Sequence, residues 1–374
     1  MRDARDKGHN LRADFRVQWQ PDSFNTLEFR PRISYNLNNS TSVDSSLIMA
    51  GDPRRSPVTS TFNDNYSRGN SLEFGANLIY SHNFKRKRGR SFSINLRYDH
   101  SDVREKENSY SRNLFYLYPD SMDLYDQYGD NHTWNNTAQA RLTWTEPIGN
   151  AANGHFLTFS YRIQYRWNNA DKMVYDHPVY YPEDGDDWLA WIDYDRLLFN
   201  DTLSNRFRND FMTQDIRIGY KYVSRKHNLD VGMSIVPSQS KSENLINGAK
   251  SIPMRRVWNF APFLRYRLKF DKSTSLNAAY RGRASQPSMS QLQPVADMSD
   301  PMRIVVGNPN LDPTFNHWIS LRFQSFDMEH QRSIMSMADF EVAQNSIVSK
   351  TTFNHNTGSQ LTTYENVNGV WSGR

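Results

Sequence analysis

Residues 11–37 read LRADFRVQWQPDSFNTLEFRPRISYNL, and two alternating tracts separated by five residues decide the class of the chain. Leu11, Ala13, Phe15, Val17 and Trp19 alternate with Arg12, Asp14, Arg16, Gln18 and Gln20. Beyond Pro21 to Asn25, Leu27, Phe29, Ile33, Tyr35 and Leu37 alternate with Glu28, Arg30, Arg32, Ser34 and Asn36. Successive side chains of a strand point to opposite faces, so each tract is a strand with one apolar face and one charged or amide-bearing face. About ten further tracts of this kind follow: Leu72 to Phe84, Phe92 to Tyr98, Ala138 to Trp144, Leu157 to Trp167, Met212 to Tyr222, Leu229 to Ile235, Trp258 to Phe270, Leu276 to Tyr280, Ile319 to Phe323 and Ile334 to Val342. Helical spacing is nearly absent.

The connections alternate as regularly as the tracts. Short turns sit at Pro21 to Asn25, Lys85 to Arg90, Glu146 to Gly154, Ser224 to Asn228, Asp271 to Ser273 and Asp327 to Arg332. Long polar segments sit between them, at Asn38 to Gly69, Glu105 to His132, Asn168 to Asp210, Pro237 to Arg255, Arg283 to Asn316 and Gln344 to Gly369. A soluble sandwich has no reason to keep every long connection at one end. A bacterial outer-membrane barrel does, with short periplasmic turns and long extracellular loops. The predicted class is therefore all-β: a transmembrane antiparallel up-and-down barrel in the outer membrane of a Gram-negative bacterium, built from strands of about nine to eleven residues. Trp19, Phe84, Phe92, Trp144, Phe156, Tyr222, Phe270 and Phe323 fall at the turn-proximal ends of the apolar faces, where an interfacial aromatic girdle would stand.

Composition agrees. Only 37% of the 374 residues are hydrophobic, yet 13% are aromatic, too many for a disordered chain. Mean hydropathy is -0.80 and no run of about 18 apolar residues occurs, which excludes membrane-spanning helices. With no cysteine, disulfide frameworks and thiolate sites are excluded. The formal charge of +5 comes from 45 basic residues mixed with 40 acidic ones, without the basic patch and binding motif of a nucleic-acid reader, so no nucleic-acid partner is expected. The N-terminus, Met1-Arg2-Asp3-Ala4-Arg5-Asp6-Lys7, carries no apolar export signal.

Counting strands places Met1 and the tail from Gln344 to Arg374 both on the extracellular side. Complete barrels of this type keep both ends in the periplasm. The expectation is that residues 1–374 form one barrel domain, an internal piece of about twelve strands of a larger barrel, with no plug and no closing strand, which would aggregate if expressed alone.

The stretch Arg281-Gly282-Arg283-Ala284-Ser285-Gln286-Pro287-Ser288, with Gln291-Leu292-Gln293-Pro294 and then Gly307-Asn308-Pro309-Asn310-Leu311-Asp312-Pro313, resembles the late-barrel segment of TonB-dependent receptors and of outer-membrane β-barrel families related to them. Those receptors carry an R-x-PS-xx-L strand end followed by GNPxLxPE; here Thr314 stands in the acidic place. Asp339 to Ile347 is similar to the next ascending strand, and Tyr364 to Gly369 to its outer loop. The resemblance implies a receptor barrel that takes up a ligand across the outer membrane. It also implies partners: outer-membrane lipid and lipopolysaccharide, an extracellular ligand, and, in a full-length parent, a plug domain and an inner-membrane energising complex. Two alternatives stand beside it, a plugless surface barrel or adhesin and a soluble secreted carbohydrate-binding β-protein. Arg283, Pro287, Ser288, Gly307, Asn308, Pro309, Leu311 and Pro313 read as a structural motif, in which Gly307 and Asn308 permit positive φ and the prolines end the ladder.

Catalytic signals are missing. There is no phosphate-binding glycine loop, zinc-binding helix motif or calcium loop, so no enzyme, metal or cofactor is expected. Ser238-Gln239-Ser240-Lys241 matches Ser-x-x-Lys without its companion motifs, and Glu183, Asp184, Asp186 and Asp187 read as a solvated acidic loop. The candidate binding residues are the loop aromatics Tyr116, Tyr118, Tyr180, Tyr181, Trp188, Trp191 and Tyr194, which either stack on a ligand ring or form the loops' own apolar cluster. On the polar strand faces, Arg16, Arg30, Arg141, Arg162 and Arg265 point into a wet lumen, where they either attract anions or are neutralised by neighbouring carboxylates.

Overall fold

A computed structural model describes residues 2–49, 56–116, 121–180, 191–246, 252–292, 296–297, 303–354 and 359–373. Twelve long strands follow one another: β1 (Arg2–Asp14), β2 (Asn25–Met49), β3 (Pro57–Asn83), β4 (Ser91–Phe115), β5 (Ser121–Pro147), β6 (His155–Asp176), β7 (Asn205–Val223), β8 (His227–Asn244), β9 (Ile252–Lys269), β10 (Ser275–Ser285), β11 (Thr314–Asp327) and β12 (Arg332–Gln344). Each pairs antiparallel with its sequence neighbours, giving the up-and-down order. Three short tracts, Val17–Trp19, Leu198–Phe199 and Val370–Gly373, complete a 15-stranded sheet. Among the described residues β1 and Val370–Gly373 are not paired with each other, and the barrel is not closed.

Strand register keeps the apolar positions on one face throughout. Ile33 lies opposite Phe74 and Leu78 opposite Leu96. Ile94 lies opposite Leu142, which lies opposite Tyr161. Ile218 meets Met233, Ile235 meets Phe260 and Tyr280 meets Ile319. These side chains look outward: Leu11 is 74% exposed, Ile218 62% and Trp258 66%. Few hydrophobic side chains are buried at all. A water-soluble sheet would cover such a face with a second layer; this one is shaped for an apolar solvent.

The long polar segments differ from expectation. Strands of nine to eleven residues were anticipated, but β2 and β4 have 25 residues and β3 and β5 have 27. Asn38 to Gly69 is mostly ladder, with pairs running from Asn38 opposite Gly69 to Met49 opposite Pro57. At about 3.4 Å per residue, 27 residues reach roughly 90 Å, about three times a hydrocarbon layer. Their outer halves are rich in Ser, Thr and Asn, so alternation of polarity stops there while backbone pairing continues. Ser238 to Lys241, placed by sequence in a loop, is part of β8 for the same reason.

All short turns lie at the opposite end. Three begin with an aspartate that accepts backbone N–H groups: Asp22 from Phe24 and Asn25, Asp271 from Ser273 and Thr274, and Asp327 from Glu329 and His330. The expected girdle is present in part. Trp144 sits 5.4 Å from Phe84 and 6.1 Å from Phe92, between ring centroids. Phe156 is misplaced by the sequence reading. It lies opposite Lys221, one position out of phase with the outward Leu157, and its ring packs beside Gly89.

The tail also departs from expectation. After β12, Asn345 takes φ +52 and the chain leaves the wall as a hairpin, Ser346–Phe353 with Gln360–Val367. It then returns, and Val370–Gly373 pairs with β12 from Ala343 to Phe340. The segment beyond residue 344 is therefore partly barrel wall, because Trp371, opposite Val342 and with its ring 6.1 Å from that of Phe340, extends the outer face.

Candidate functional site

The inner face carries the arginines in two unlike groups. Around β1 to β4 the five inward arginines Arg12, Arg16, Arg30, Arg32 and Arg97 each have an acid. Arg12 Nε is 2.6 Å from Asp14, Glu28 takes both Arg16 and Arg30, and Asp99 lies 2.9 Å from Arg32 and 2.6 Å from Arg97. Arg16 and Arg30 thus share one carboxylate, that of Glu28.

Across β5 to β10 the pattern differs. A hollow of about 450 Å³ is lined by Arg141, Arg162, Arg217, Arg265, Arg281 and Arg283, together with Asp215. Side chains from six consecutive strands reach one cavity, which makes this face concave. Arg141 and Arg162 are direct cross-strand partners, a like-charge juxtaposition that disfavours pairing. Among the described residues only Arg162 is in ion-pair contact, with Asp215 at 3.3 Å. Two of the other guanidinium groups are held by neutral neighbours. Arg217 donates from Nε to Ser234 at 3.0 Å and lies 4.9 Å above the Phe263 ring, and Arg281 lies 5.9 Å from the Trp318 ring. Phe263 is nearly buried because Gly219 and Gly232 face each other beneath it; a Cβ on Gly232 would come within 2.8 Å of its ring. Arg217 and Phe263 were missed in sequence, although Arg217 stands between Ile216 and Ile218 in the polar phase.

Extracellular aromatics form a separate group. Tyr180 and Trp191 sit on a two-stranded ribbon and stack at 4.7 Å and 21°, with Arg196 donating to the Tyr180 hydroxyl at 3.0 Å. Both rings remain accessible, at 38% and 57%. Tyr194 lies 5.3 Å from His177 and 64% exposed, while Tyr116 lies just beyond β4, bonded to Val58 at the end of the β3–β4 ladder away from its turn. Tyr118, Tyr181 and Trp188, with the acidic run Glu183 to Asp187, lie outside the described residues. Tyr194 also donates to Asp126, whose carboxyl is pushed above its usual range by burial, against the opposing pull of His177 and Tyr194. A raised carboxyl binds its proton more tightly when folded, so it favours the closed cluster at low pH and loses that contribution as pH rises through its folded value. Asp126→Asn is expected to abolish this dependence. Hydrogen exchange of residues 174–180 and 191–204, corrected for intrinsic rates, should lose protection with rising pH in the parent and stay level in the variant.

The motif residues are brought together, but as a clasp. Ser288 Oγ accepts from Gln291 N at 3.3 Å and Gln291 Oε1 from Ser288 N at 2.9 Å, a capping box on the single turn Met289–Leu292. Leu311 is 1% exposed and packs with Leu292, Ile347 and Tyr364. Asn308 Nδ2 donates to Tyr364 O at 2.9 Å, and Asp312 exchanges bonds with Asn366 at 2.8 and 3.0 Å. Arg255 donates to Pro309 O at 3.1 Å. Pro287 and Gly307 are buried and Pro313 is half-buried. Neither Gly307 nor Asn308 adopts positive φ, contrary to expectation; Asn308 makes the return instead by accepting Asn310 N at 3.0 Å. Arg283 separates from this group and joins the hollow.

An antiparallel wall with an outward apolar band, a charged concave face and long hairpins at one end is the wall of an outer-membrane β-barrel. The chain belongs to the outer membrane protein beta-barrel family, whose family model matches residues 82–372. Its place is the outer membrane of Gram-negative bacteria, with the short turns periplasmic and the long hairpins extracellular. No curated protein matches the sequence. Among solved structures it is similar to the ferripyoverdine-bound receptor FpvA of Pseudomonas aeruginosa, at 11% identity and TM-score 0.49, over 99% of this chain and 52% of that one. Similarity also extends to the copper transporter OprC, at 12% identity and TM-score 0.43, over 98% and 56%. The hemophore receptor HasR of Serratia marcescens follows, at 11% identity and TM-score 0.43, over 98% and 59%. The chain spans about half the length of these structures.

Proposed function

We propose that the chain is the barrel wall of an outer-membrane receptor that captures a ligand at its extracellular hairpins and passes it inward. The observation that supports this most is the stacked, accessible Tyr180–Trp191 pair on a ribbon far above the membrane band. Two rings at 4.7 Å with an Arg196-bonded hydroxyl present a flat amphipathic surface, suited to a planar or sugar-like face. On this reading a plug domain stands inside the barrel in the full-length protein with water between it and the charged wall, an inner-membrane complex supplies energy, and lipopolysaccharide surrounds the outer band.

Deletion of the full-length gene tests it. Culture medium is sampled by mass spectrometry for solutes that wild-type cells deplete and deletion cells leave. A spared compound with a planar or sugar face is expected, and Tyr180→Ala with Trp191→Ala should reproduce at least a tenfold loss of its uptake. Identical depletion by both strains would overturn the uptake reading. If only cell adhesion changed, the same exposed pair would be serving surface contact.

A further inference from the structure

We propose that the hollow between β5 and β10 is a binding site for a small, multiply charged anion bearing carboxylate or phosphate oxygens. The inference deepens the uptake reading, and it rests on the charged face being the water-filled side of the barrel.

Charge bookkeeping separates this region from the rest of the lumen. In β1 to β4, Asp14, Glu28 and Asp99 answer the arginines in place. Around the hollow stand six arginines and, in ion-pair contact with any of them, only Asp215 among the described residues. Asp230 faces Arg265 in the ladder, yet the two make no ion pair. Folding has brought Arg141 directly against Arg162 and left the mutual repulsion largely uncompensated. Asp215 Oδ1 and Arg162 Nε, both buried, have no hydrogen-bond partner among the described residues. A guanidinium presents a planar fork matched to carboxylate and phosphate oxygens. Here the forks are already oriented by neutral contacts, Arg217 by Ser234 and Phe263 and Arg281 by Trp318, so binding need not immobilise them afresh. A hollow of about 450 Å³ accommodates a di- or tricarboxylate or a diphosphate. A single negative charge would leave most of the cations unanswered, hence a multivalent ligand.

Citrate and inorganic pyrophosphate serve as probes, with acetate as the monovalent control. Equilibrium dialysis is carried out on the full-length protein in detergent, its barrel verified by heat-modifiable migration. Saturable binding of citrate or pyrophosphate is expected below millimolar concentration, at least tenfold tighter than acetate, and weakening steeply with salt. Arg141→Gln with Arg265→Gln should weaken it at least tenfold. Arg16→Gln with Arg30→Gln, which removes cations already held by Glu28, should change it less than twofold. Ala279→Asp places a carboxylate opposite Arg265 without removing any side chain and should weaken binding at least threefold, which guards against misfolding of the double variant. Equal losses in the two arginine pairs would overturn the proposal. So would absence of saturable binding in the parent, which would assign the arginines to an acidic protein surface filling the lumen. Both results leave the barrel itself intact, as the heat-modifiable band reports independently.

Discussion

Leu142→Arg is expected to lower the stability of the folded protein in a bilayer by about 2 to 4 kcal/mol, the cost of a cation near the midplane on a lipid-facing strand position. Leu142 lies between Ile94 and Tyr161 on the outer face, with no acidic side chain beside it to answer a cation. Arg141→Leu, one residue away, is expected to do the opposite of harm to the ladder: it removes the like-charge contact with Arg162 and exposes a leucine to a wet hollow already lined by Phe263 and Ala261. Its net effect should stay below about 1 kcal/mol, within the ordinary range for such surface changes. Urea unfolding in lipid vesicles, followed by tryptophan emission and heat-modifiable migration, measures both. Equal costs would mean that the two faces meet the same solvent, and the membrane orientation of β5 would be wrong.

Gly154→Val is expected to block assembly outright. Gly154 closes the β5–β6 turn at φ +76, and its carbonyl receives Val223 N at 2.8 Å, fastening the turn to the end of β7. A Cβ there would overlap the Val223 carbonyl oxygen, which belongs to the ladder and cannot swing away. The left-handed conformation alone costs a side-chain-bearing residue about 1 to 2 kcal/mol, and the overlap adds to it. Gly149 supplies the control: at φ +68 a Cβ would meet nothing within 4 Å, so Gly149→Ala incurs only the conformational part. The folded fraction recovered in outer membranes, read by heat-modifiable migration, should be near zero for Gly154→Val and close to normal for Gly149→Ala. Similar yields for the two would show that the Val223 contact does not constrain the turn.

Alternation made much of this fold legible. In a strand, facing depends only on residue parity, so Leu11 to Gln20 revealed both the lipid face and the lumen face without reference to any other strand. Phe156 obeys the same rule: it is the second residue of β6, one position before the outward Leu157, so parity turns it away from the girdle in which its aromatic type had placed it. The long hairpins were not legible in this way. Beyond the membrane both faces of a strand are wet, polarity no longer alternates, and a ladder such as Asn38 to Gly69 reads as loop.

The candidate site divides along the same line. That Arg16, Arg30, Arg141, Arg162 and Arg265 lie on the face opposite the apolar one followed from parity. Which of them meet a carboxylate did not, since Arg32 finds Asp99 across 67 residues and Arg162 finds Asp215 across the β6–β7 register. Likewise the sequence marked Gly307 to Pro313 as a unit, but only the folded chain shows Leu311 and Asn308 gripping the hairpin that carries Tyr364 and Asn366. By itself the sequence determined the number of crossings, their two faces and the end that bears the long segments, all of which are local properties of parity and spacing. Tertiary structure decided how far the ladders extend, which arginines remain unpaired and where the tail re-enters the wall, because each depends on register between segments that the chain places far apart.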